Sequence, residues 1–372
     1  MADPRVSFVV PCYQLAHLLG ECIESILSQT YGDFEILIMD DCSPDNTGEV
    51  ARSFVDPRVK YIRNDPNLGH LKNYNKGIGL SRGAYVWLIS ADDRLAKPYA
   101  LERYMAVMEA NPQVGYAFCP ALEIVGGKEA AIAKYTHGER DAVLAGKKFV
   151  ADTLMGVGNA IPAASGLVRK ECYERVCLFP LDMPYGGDWY LWCMFALHYD
   201  AAYLAEPMVN YRIHELAMCR TMSQENIRLI INDDIGIPWR IRQEAERLGA
   251  RDVVQACFGQ LAAQFGRYLS GSKVRGTAVQ ITLEEFETRL AALTSDAAER
   301  RAVAAASFAS AGDRFFWRDD FTGAADMYRR ALSVRPFWPK IWARAVLSRT
   351  STPRAACRRA VASLRSLKLK TR

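Results

Sequence analysis

The chain has 372 residues, half of them hydrophobic, which is enough for a large core in one domain with an appendage or in two domains. Its formal charge is only +5, and residues 353–372 carry seven basic side chains and no acidic one, so the rest is close to neutral and a nucleic-acid-binding body is not expected. The ten cysteines form no C-x-x-C pair, which favours reduced thiols over a disulfide framework or a zinc site.

The first hundred residues alternate apolar runs with segments of helical periodicity. The apolar runs at 6–10, 34–39, 59–63 and 85–89 predict strands, and helices are predicted at 16–28, 50–54 and 71–80. This alternation predicts an α/β fold with a mostly parallel, doubly wound sheet and helices on both of its faces. The phosphate loops G-x-G-x-x-G and G-x-x-x-x-G-K-[ST] are both missing, which weighs against nicotinamide, flavin and P-loop nucleotide sites.

Two of the predicted strands end in adjacent carboxylates. Asp40 and Asp41 follow the second strand, and Asp92 and Asp93 follow the fourth. Neighbouring carboxylates at a buried strand end repel each other and lose hydration, a penalty that a divalent cation removes. Open α/β sheets also bind their ligands at this edge. The alternative for Asp92 and Asp93 is a polar turn that caps the helix beginning near Pro98.

The region from about residue 5 to 95 resembles the nucleotide-sugar-binding half of the family 2 glycosyltransferases of the GT-A fold. The shared features are the Pro-x-Tyr after the first strand, the Ser-Ile-Leu-x-Gln-Thr end of the first helix and both Asp-Asp pairs. The resemblance implies a metal-dependent, inverting transfer of a sugar from a nucleotide diphosphate, a uridine one in our interpretation, to a hydroxyl acceptor.

The resemblance also implies roles for single residues around the donor. The expected donor-binding residues are Pro11, Tyr13, Asp41, Asn75, Asp92 and Arg212. Among them, Asp41 contacts the nucleotide base, Asp92 lies by the ribose, and Pro11 and Tyr13 line the base pocket. Asp93 is the expected ligand of Mn²⁺ or Mg²⁺, cations that prefer one or two carboxylates together with phosphate oxygens.

The acceptor half is expected over residues 99–225. Asp188 follows two glycines and begins an apolar helix, so it is either an N-cap or, as the resemblance implies, the general base that accepts the proton of the acceptor hydroxyl. A late strand at 207–213 leads to Arg212 and His214. In the family this His completes the metal or diphosphate shell, whereas a lone His is more often an ordinary surface residue.

Two further stretches are expected to lie near the site. The polar, Gly-rich residues 123–146 predict a mobile loop or hairpin insert over the site, and residues 215–225 predict a flexible segment that closes over the diphosphate. Tyr74 stands where the family often carries Arg, which is a departure from the family pattern.

Two other functions remain open at this point. A sugar-nucleotide pyrophosphorylase shares the fold, but it requires a Gly-rich, Arg-bearing loop after the first strand, where this chain has Pro-Cys-Tyr-Gln. A catalytically silent sugar-nucleotide-binding scaffold would keep its function when Asp93 or Asp188 is replaced by Ala.

The remainder of the chain predicts an all-helical accessory region at 226–352 that contains one tetratricopeptide-like unit at 311–332. Residues 353–372 predict a basic amphipathic helix suited to an anionic membrane surface, or else a solvated tail. The sequence shows no leader peptide and no apolar run of ~18 residues. We therefore expect a cytoplasmic protein, peripheral on the inner face of the membrane, with a saccharide or lipid-linked saccharide acceptor in bacterial-type surface polysaccharide or glycoconjugate synthesis.

Overall fold

The computed structural model describes residues 3–129, 136–214, 226–274 and 276–348. The chain divides into two compact units, Met1–Thr221 with Glu244–Val253, and Met222–Gln243 with Val254–Arg372. The sequence interpretation puts every residue after 225 into the helical region, whereas residues 244–253 group with the first unit.

The first unit is built on two sheets. Its strands are β1 (Val6–Cys12), β2 (Phe34–Asp40), β3 (Val59–Arg63), β4 (Tyr85–Leu88), β5 (Arg94–Leu95), β6 (Val114–Phe118), β7 (Ala121–Val125), β8 (Lys128–Glu129), β9 (Ala142–Leu144), β10 (Leu167–Arg169), β11 (Asp200–Tyr203) and β12 (Val209–Ile213). Its helices are α1 (Ala16–Leu27), α2 (Thr47–Ser53), α3 (His70–Leu80), α4 (Ala100–Ala110), α5 (Gly146–Phe149), α6 (Met155–Val157), α7 (Lys170–Arg175) and α8 (Gly187–His198). Single π-helical and 3₁₀ turns span Val150–Leu154 and Ala163–Ser165.

The large sheet has the strand order β3-β2-β1-β4-β10-β6-β11-β9 within the described residues. Strands β1 to β4 are parallel to one another, and every residue of β1 and β2 is buried, as continuous apolar runs predict. The backbone continues this pairing past the strand ends, because the Asp41 amide donates to the Cys12 carbonyl and the Ala91 amide to the Pro11 carbonyl. Asp41 and Asp92 therefore lie at the same edge, on either side of β1.

The second sheet has the order β5-β12-β7-β8 and was not predicted. Strand β12 pairs antiparallel with β5, which begins directly after Asp93, and parallel with β7. This pairing carries Arg212 and His214 to the second carboxylate pair, although 119 or more residues separate them in the chain.

Of the two alternatives for residues 123–146, a mobile loop or a hairpin insert, the structure shows a hairpin in the described part of that stretch. Strands β7 and β8 form this hairpin at the edge of the second sheet, and β9 pairs with β11 at the edge of the first. Strands β8 and β9 have only two and three residues, so they lack the longer apolar run by which the buried strands are recognised.

The later part of the chain is mainly helical, as predicted. Its helices are α9 (Ile227–Arg247), α10 (Arg251–Leu269), α11 (Leu283–Leu293), α12 (Ala297–Trp317), α13 (Phe321–Val334) and α14 (Pro339–Leu347). A two-stranded hairpin, β13 (Ser272–Val274) with β14 (Thr277–Val279), lies between α10 and α11 and was missing from the all-helical prediction. The tetratricopeptide-like stretch contains two packed helices, in which Gly312 leaves room for the ring of Tyr328. No described helix combines the length and the apolar character that crossing a membrane requires.

Helix α3 packs closely on the large sheet through Gly77, which gives a test of the fold. A Cβ atom at Gly77 would lie 2.4 Å from Cγ1 of Val9 and 3.1 Å from Cγ of Met39, whereas a Cβ at Gly79 would meet nothing within 4 Å. We expect Gly77→Ala to lower the free energy of unfolding by about 1–3 kcal/mol through overpacking. The control Gly79→Ala should leave it unchanged or raise it by up to about 1 kcal/mol through helix propensity. Urea denaturation measures both, and equal effects would contradict the close packing.

Candidate functional site

The first carboxylate pair divides into a structural residue and a residue at the site. Asp40 is fully buried and accepts hydrogen bonds from the Ser43 amide, the Tyr61 hydroxyl and the Arg63 guanidinium. These contacts hold the turn after β2. Asp41, the next residue, points to the other side of the strand, since neighbouring side chains alternate.

Asp41 organises the loop at residues 64–69. Its Oδ1 accepts hydrogen bonds from the Asn64 side chain and the Leu68 amide, each at 2.8 Å, and its Oδ2 accepts one from the Gly69 amide at 2.9 Å. The Asn67 side chain donates to the backbone carbonyl of Asp41 at 2.6 Å. The carboxylate, only 4% exposed, thus fixes the loop that leads into α3.

The second carboxylate pair is Asp92 and Asp93, and Asp92 contacts His214. His214 Nε2 lies 2.9 Å from Asp92 Oδ2. Burial opposes ionisation of Asp92, but its hydrogen bonds with His214 and Ser90 outweigh burial and hold its pKa below the ordinary value. Asp92 Oδ1 is buried without a hydrogen-bond partner among the described residues. A buried acceptor without a partner costs free energy unless a ligand satisfies it.

Asp93 is the other carboxylate of the second pair, and it joins the two sheets. Its Oδ1 accepts a hydrogen bond from the Arg212 backbone amide at 2.8 Å. Burial, together with repulsion from Asp92, raises the pKa of Asp93 well above its ordinary value. Asp93 therefore anchors strand β12, which delivers His214.

The Arg212 guanidinium is occupied by contacts within the protein. Its Nε donates to the Asp92 carbonyl at 2.9 Å and its Nη2 to Glu21 on α1 at 2.6 Å, and the side chain is only 14% exposed. Glu21 also accepts from Arg94. Arg212 thus connects α1, the Asp92–Asp93 segment and β12.

Asp188 is the second residue of α8, where the helix dipole favours a negative charge. The Asn159 side chain donates to Asp188 Oδ2 at 2.7 Å and fixes the orientation of the carboxylate. The preceding Gly187 lets this end of the helix approach Phe179, since a Cβ would lie 3.2 Å from the ring. The structure therefore presents Asp188 at a packed helix end.

The Tyr74 phenol marks the point where these carboxylates converge. Burial raises its pKa most, and the negative charges of Asp92, Asp188, Asp93 and Asp41 raise it further, in that order. The ring is held edge-on by Phe179 at 5.4 Å and by His70 at 5.6 Å between ring centroids. Helix α3 thus places the Tyr74 hydroxyl in the field of four carboxylates from three segments of the chain.

The remaining predicted donor residues differ in their availability. Pro11 is buried in β1, whereas the Tyr13 ring is 47% exposed beside the strand end. The Asn75 side chain is engaged with the Phe179 backbone at both its oxygen and its nitrogen, so it fixes the chain that leads to Asp188. The predicted closing segment 215–225 lies outside the described residues.

Sequence reasoning missed the supporting residues of the site. Glu21, Asn64 and Asn159 touch the predicted residues, but none belongs to a motif, and Glu21 lies 191 residues from its partner Arg212. Only the pairing of the strands brings them together.

The side chains available at the site fit a divalent cation whose remaining ligands come from a substrate. Over the described part of the chain, no group of three or more His, Cys, Asp or Glu side chains could hold a metal ion. Asp92 and His214 offer a buried oxygen without a partner and an imidazole. Mg²⁺ and Mn²⁺ are commonly held by so few protein ligands when phosphate oxygens supply the others.

The loop-fixing role of Asp41 gives a test that needs no substrate. In Asp41→Asn an amide nitrogen replaces one acceptor oxygen and faces backbone N–H donors. We expect the free energy of unfolding to fall by about 2–3 kcal/mol and the Leu68 and Gly69 amides to lose protection from hydrogen exchange. The control Asp65→Asn changes an exposed carboxylate of the same loop and should alter neither quantity. Unchanged protection in Asp41→Asn would contradict this role.

Comparison with known proteins gives the family. Residues 7–152 match the model of glycosyl transferase family 2. An "Uncharacterized glycosyltransferase" of Haemophilus influenzae is 31% identical over 220 residues, 57% of this chain and 66% of that protein. GlyG, a glycosyltransferase of Streptococcus pneumoniae, is 35% identical over 111 residues, 29% of this chain and 37% of that protein. The chain thus spans less than two thirds of the length of each of these relatives.

Solved structures agree on the fold. S. aureus TarS 1–349 in complex with UDP-GlcNAc aligns with a TM-score of 0.61 at 18% identity, over 89% of this chain and 92% of that chain. Its complex with UDP aligns with a TM-score of 0.59 at 17% identity, over 90% and 92%. The predicted GT-A fold with a helical extension is confirmed. By this match, residues 7–152 form a domain of glycosyl transferase family 2, and the fold of the chain is that of the TarS structures.

Proposed function

We propose that the protein is a metal-dependent, inverting glycosyltransferase that moves a sugar from a uridine diphosphate donor to a hydroxyl acceptor. The observation that carries this proposal is the position of Asp41 and Asp92 at one edge of the large sheet, on either side of β1, with His214 Nε2 at 2.9 Å from Asp92 Oδ2. Together with Asp188, these carboxylates offer separate places for the nucleotide base, the diphosphate and the acceptor. The match of residues 7–152 to glycosyl transferase family 2 supports glycosyl transfer as the chemistry.

The hydrogen-bonding capacity of Asp41 favours uracil as the base of the donor. A carboxylate offers about four acceptor positions, and protein donors fill three of those of Asp41. One acceptor position suits the single imide N–H of uracil. The exposed ring of Tyr13 lies on the segment after β1, where it can cover the base. The TarS structures with UDP and UDP-GlcNAc, on the same fold, are consistent with this donor.

Asp92 and His214 are the residues that we propose to hold the metal. The family resemblance implies that Asp93 and His214 bind the metal and that Asp92 lies by the ribose. The geometry favours Asp92, because its Oδ1 is without a partner, whereas Asp93 holds the Arg212 amide. A bound cation would supply Lewis-acid stabilisation of the charge that develops on the departing diphosphate. Arg212 then positions the pair and does not itself contact the donor.

Asp188 is the general base in this proposal. Asn159 holds one carboxylate oxygen, and the helix end favours the ionised form. The carboxylate accepts the proton of the acceptor hydroxyl while the oxygen attacks the anomeric carbon from the face opposite the diphosphate. Holding the two substrates in line removes about 7 kcal/mol or more of the barrier.

The acceptor that we propose is a saccharide or a lipid-linked saccharide in surface polysaccharide or glycoconjugate synthesis. Attachment to the inner face of a membrane through residues 353–372 stays a prediction, since these residues lie outside the described ranges.

A donor screen tests the proposed function as a whole. Release of the nucleotide diphosphate from a panel of nucleotide sugars should be fastest with a UDP-sugar and should stop on addition of EDTA. Release that continues with EDTA would remove the metal from the mechanism, and a preference for a guanosine donor would remove the proposed contact of Asp41.

Asp188→Asn tests the general base. We expect the turnover number to fall by about 10²- to 10⁴-fold while the KM for the donor stays within about twofold, because proton abstraction is lost and donor binding is not. The control Asp152→Asn removes an exposed carboxylate that pairs with Lys148, and it should keep full activity. Wild-type turnover in Asp188→Asn would eliminate this residue as the base.

Asp92→Asn and Asp93→Ala separate the two neighbouring carboxylates. We expect Asp92→Asn to raise the Mn²⁺ concentration for half-maximal activity by about tenfold or more, with little effect on unfolding. Asp93→Ala should chiefly lower stability, because the Arg212 amide loses its acceptor. Manganese titration of activity, with thermal unfolding beside it, distinguishes the two. If the Asp93 variant instead raised the manganese requirement and the Asp92 variant lowered stability, the metal ligand would be Asp93.

A further inference from the structure

The second unit contains an open surface pocket that the proposed transfer reaction does not use. Its volume is about 540 Å³, and it lies between the end of α10 and the β13–β14 hairpin. Ser270, Ser272, Lys273, Gln280 and Arg318 are among its lining residues. We call this cavity, with these five residues, the basic pocket. Its volume falls within the range of sites for small molecules.

Lys273 and Arg318 line the basic pocket, and Arg267 and Arg314 lie near it. Arg267 donates to the Ser272 hydroxyl at 3.1 Å and lies 3.5 Å from Asp234, and it is the one cation of the four with a carboxylate partner within the described residues. Arg314 lies in the last turn of α12, four residues before Arg318, which is the C-cap of that helix.

Arg314 is the cation that the fold leaves least compensated. Burial lowers its pKa, and the neighbouring charges of Arg267 and Arg318 lower it further. No ion pair of Arg314 is found in the part of the chain that the structure describes, and the adjacent Asp313 pairs with Arg344. Arg318, by contrast, has a structural task, because it donates to the Ser270 and Gly271 carbonyls after α10.

Crowded guanidinium groups destabilise a fold unless an anion lies among them. The helix end accounts for part of this arrangement, because cations favour a helix C-terminus. It does not account for Lys273, which is on the hairpin. Guanidinium groups, an ammonium group and serine hydroxyls are the donors that bind phosphate oxygens.

We propose that the basic pocket binds the phosphoryl group of an anionic ligand. Lys273 and Arg318 contact the oxygens, and Arg314 supplies a further, half-buried positive charge near Arg318. The site lies in the second unit and does not depend on the proposed transfer chemistry. A sugar phosphate and a phospholipid headgroup are the two sources of this chemistry.

Calorimetric titration of the full chain with inorganic phosphate, at constant ionic strength, tests the proposal. Phosphate bound at the proposed donor site would not depend on Lys273 or Arg314, so comparison of the variants isolates the basic pocket. We expect Lys273→Gln, which loses a charge-assisted contact, and Arg314→Gln, which loses a nearby positive charge, each to lower the association constant by about tenfold. The matched control Lys340→Gln removes an exposed charge from α14 and should bind as the wild type does.

Thermal unfolding distinguishes a ligand-binding role of Arg314 from a structural one. Without phosphate, Arg314→Gln should be as stable as the wild type or more stable, because like charges are relieved. A strongly destabilised Arg314→Gln would overturn the role of Arg314, and equal phosphate binding in the wild type and Lys273→Gln would overturn the site.

The two sources are separated with glucose 1-phosphate and with vesicles of phosphatidylglycerol and phosphatidylcholine. Binding of glucose 1-phosphate that depends on Lys273 supports a phosphorylated saccharide. Vesicle binding that depends on Lys273 supports a lipid headgroup. Absence of both, together with no phosphate binding, would overturn the proposal.

Discussion

The hydrogen bond from the Arg212 amide to Asp93 is the contact on which the site depends. Sheet order brings Asp41 and Asp92 to the two sides of β1, but nothing in the large sheet supplies His214. The bond to Asp93, with the β5–β12 pairing beside it, fixes the end of the second sheet against the first. A side chain from the far end of the domain thereby reaches Asp92.

The cost of this arrangement is the burial of acidic groups, and the structure compensates each of them differently. Asp40 has a guanidinium, Asp41 has backbone amides and Asp93 has one amide and a raised pKa. Asp92 keeps an oxygen without a partner. This difference separates the carboxylates that hold the fold from the one that we propose to bind the metal, a distinction that adjacent Asp residues in a sequence do not reveal.

Much of the parallel sheet could be predicted from sequence, because buried strands such as β1 and β2 are continuous apolar runs. The carboxylates at their ends could be predicted for the same reason, since strand ends of one sheet share an edge. The second sheet could not, because β5 has two residues and the β7–β8 hairpin is partly exposed. Glu21 and Asn159 could not be predicted either, since they act through partners that are distant in the chain.

The two roles that we propose for Asp41 have a consequence for how the nucleotide preference of this protein can change. The group that we propose to read the base also holds the turn before α3 in place. A substitution that suits a different nucleobase would loosen that turn at the same time. A change of nucleotide preference therefore requires replacement of Asp41 together with the 64–69 segment. A substitution of Asp41 alone would give a less stable protein.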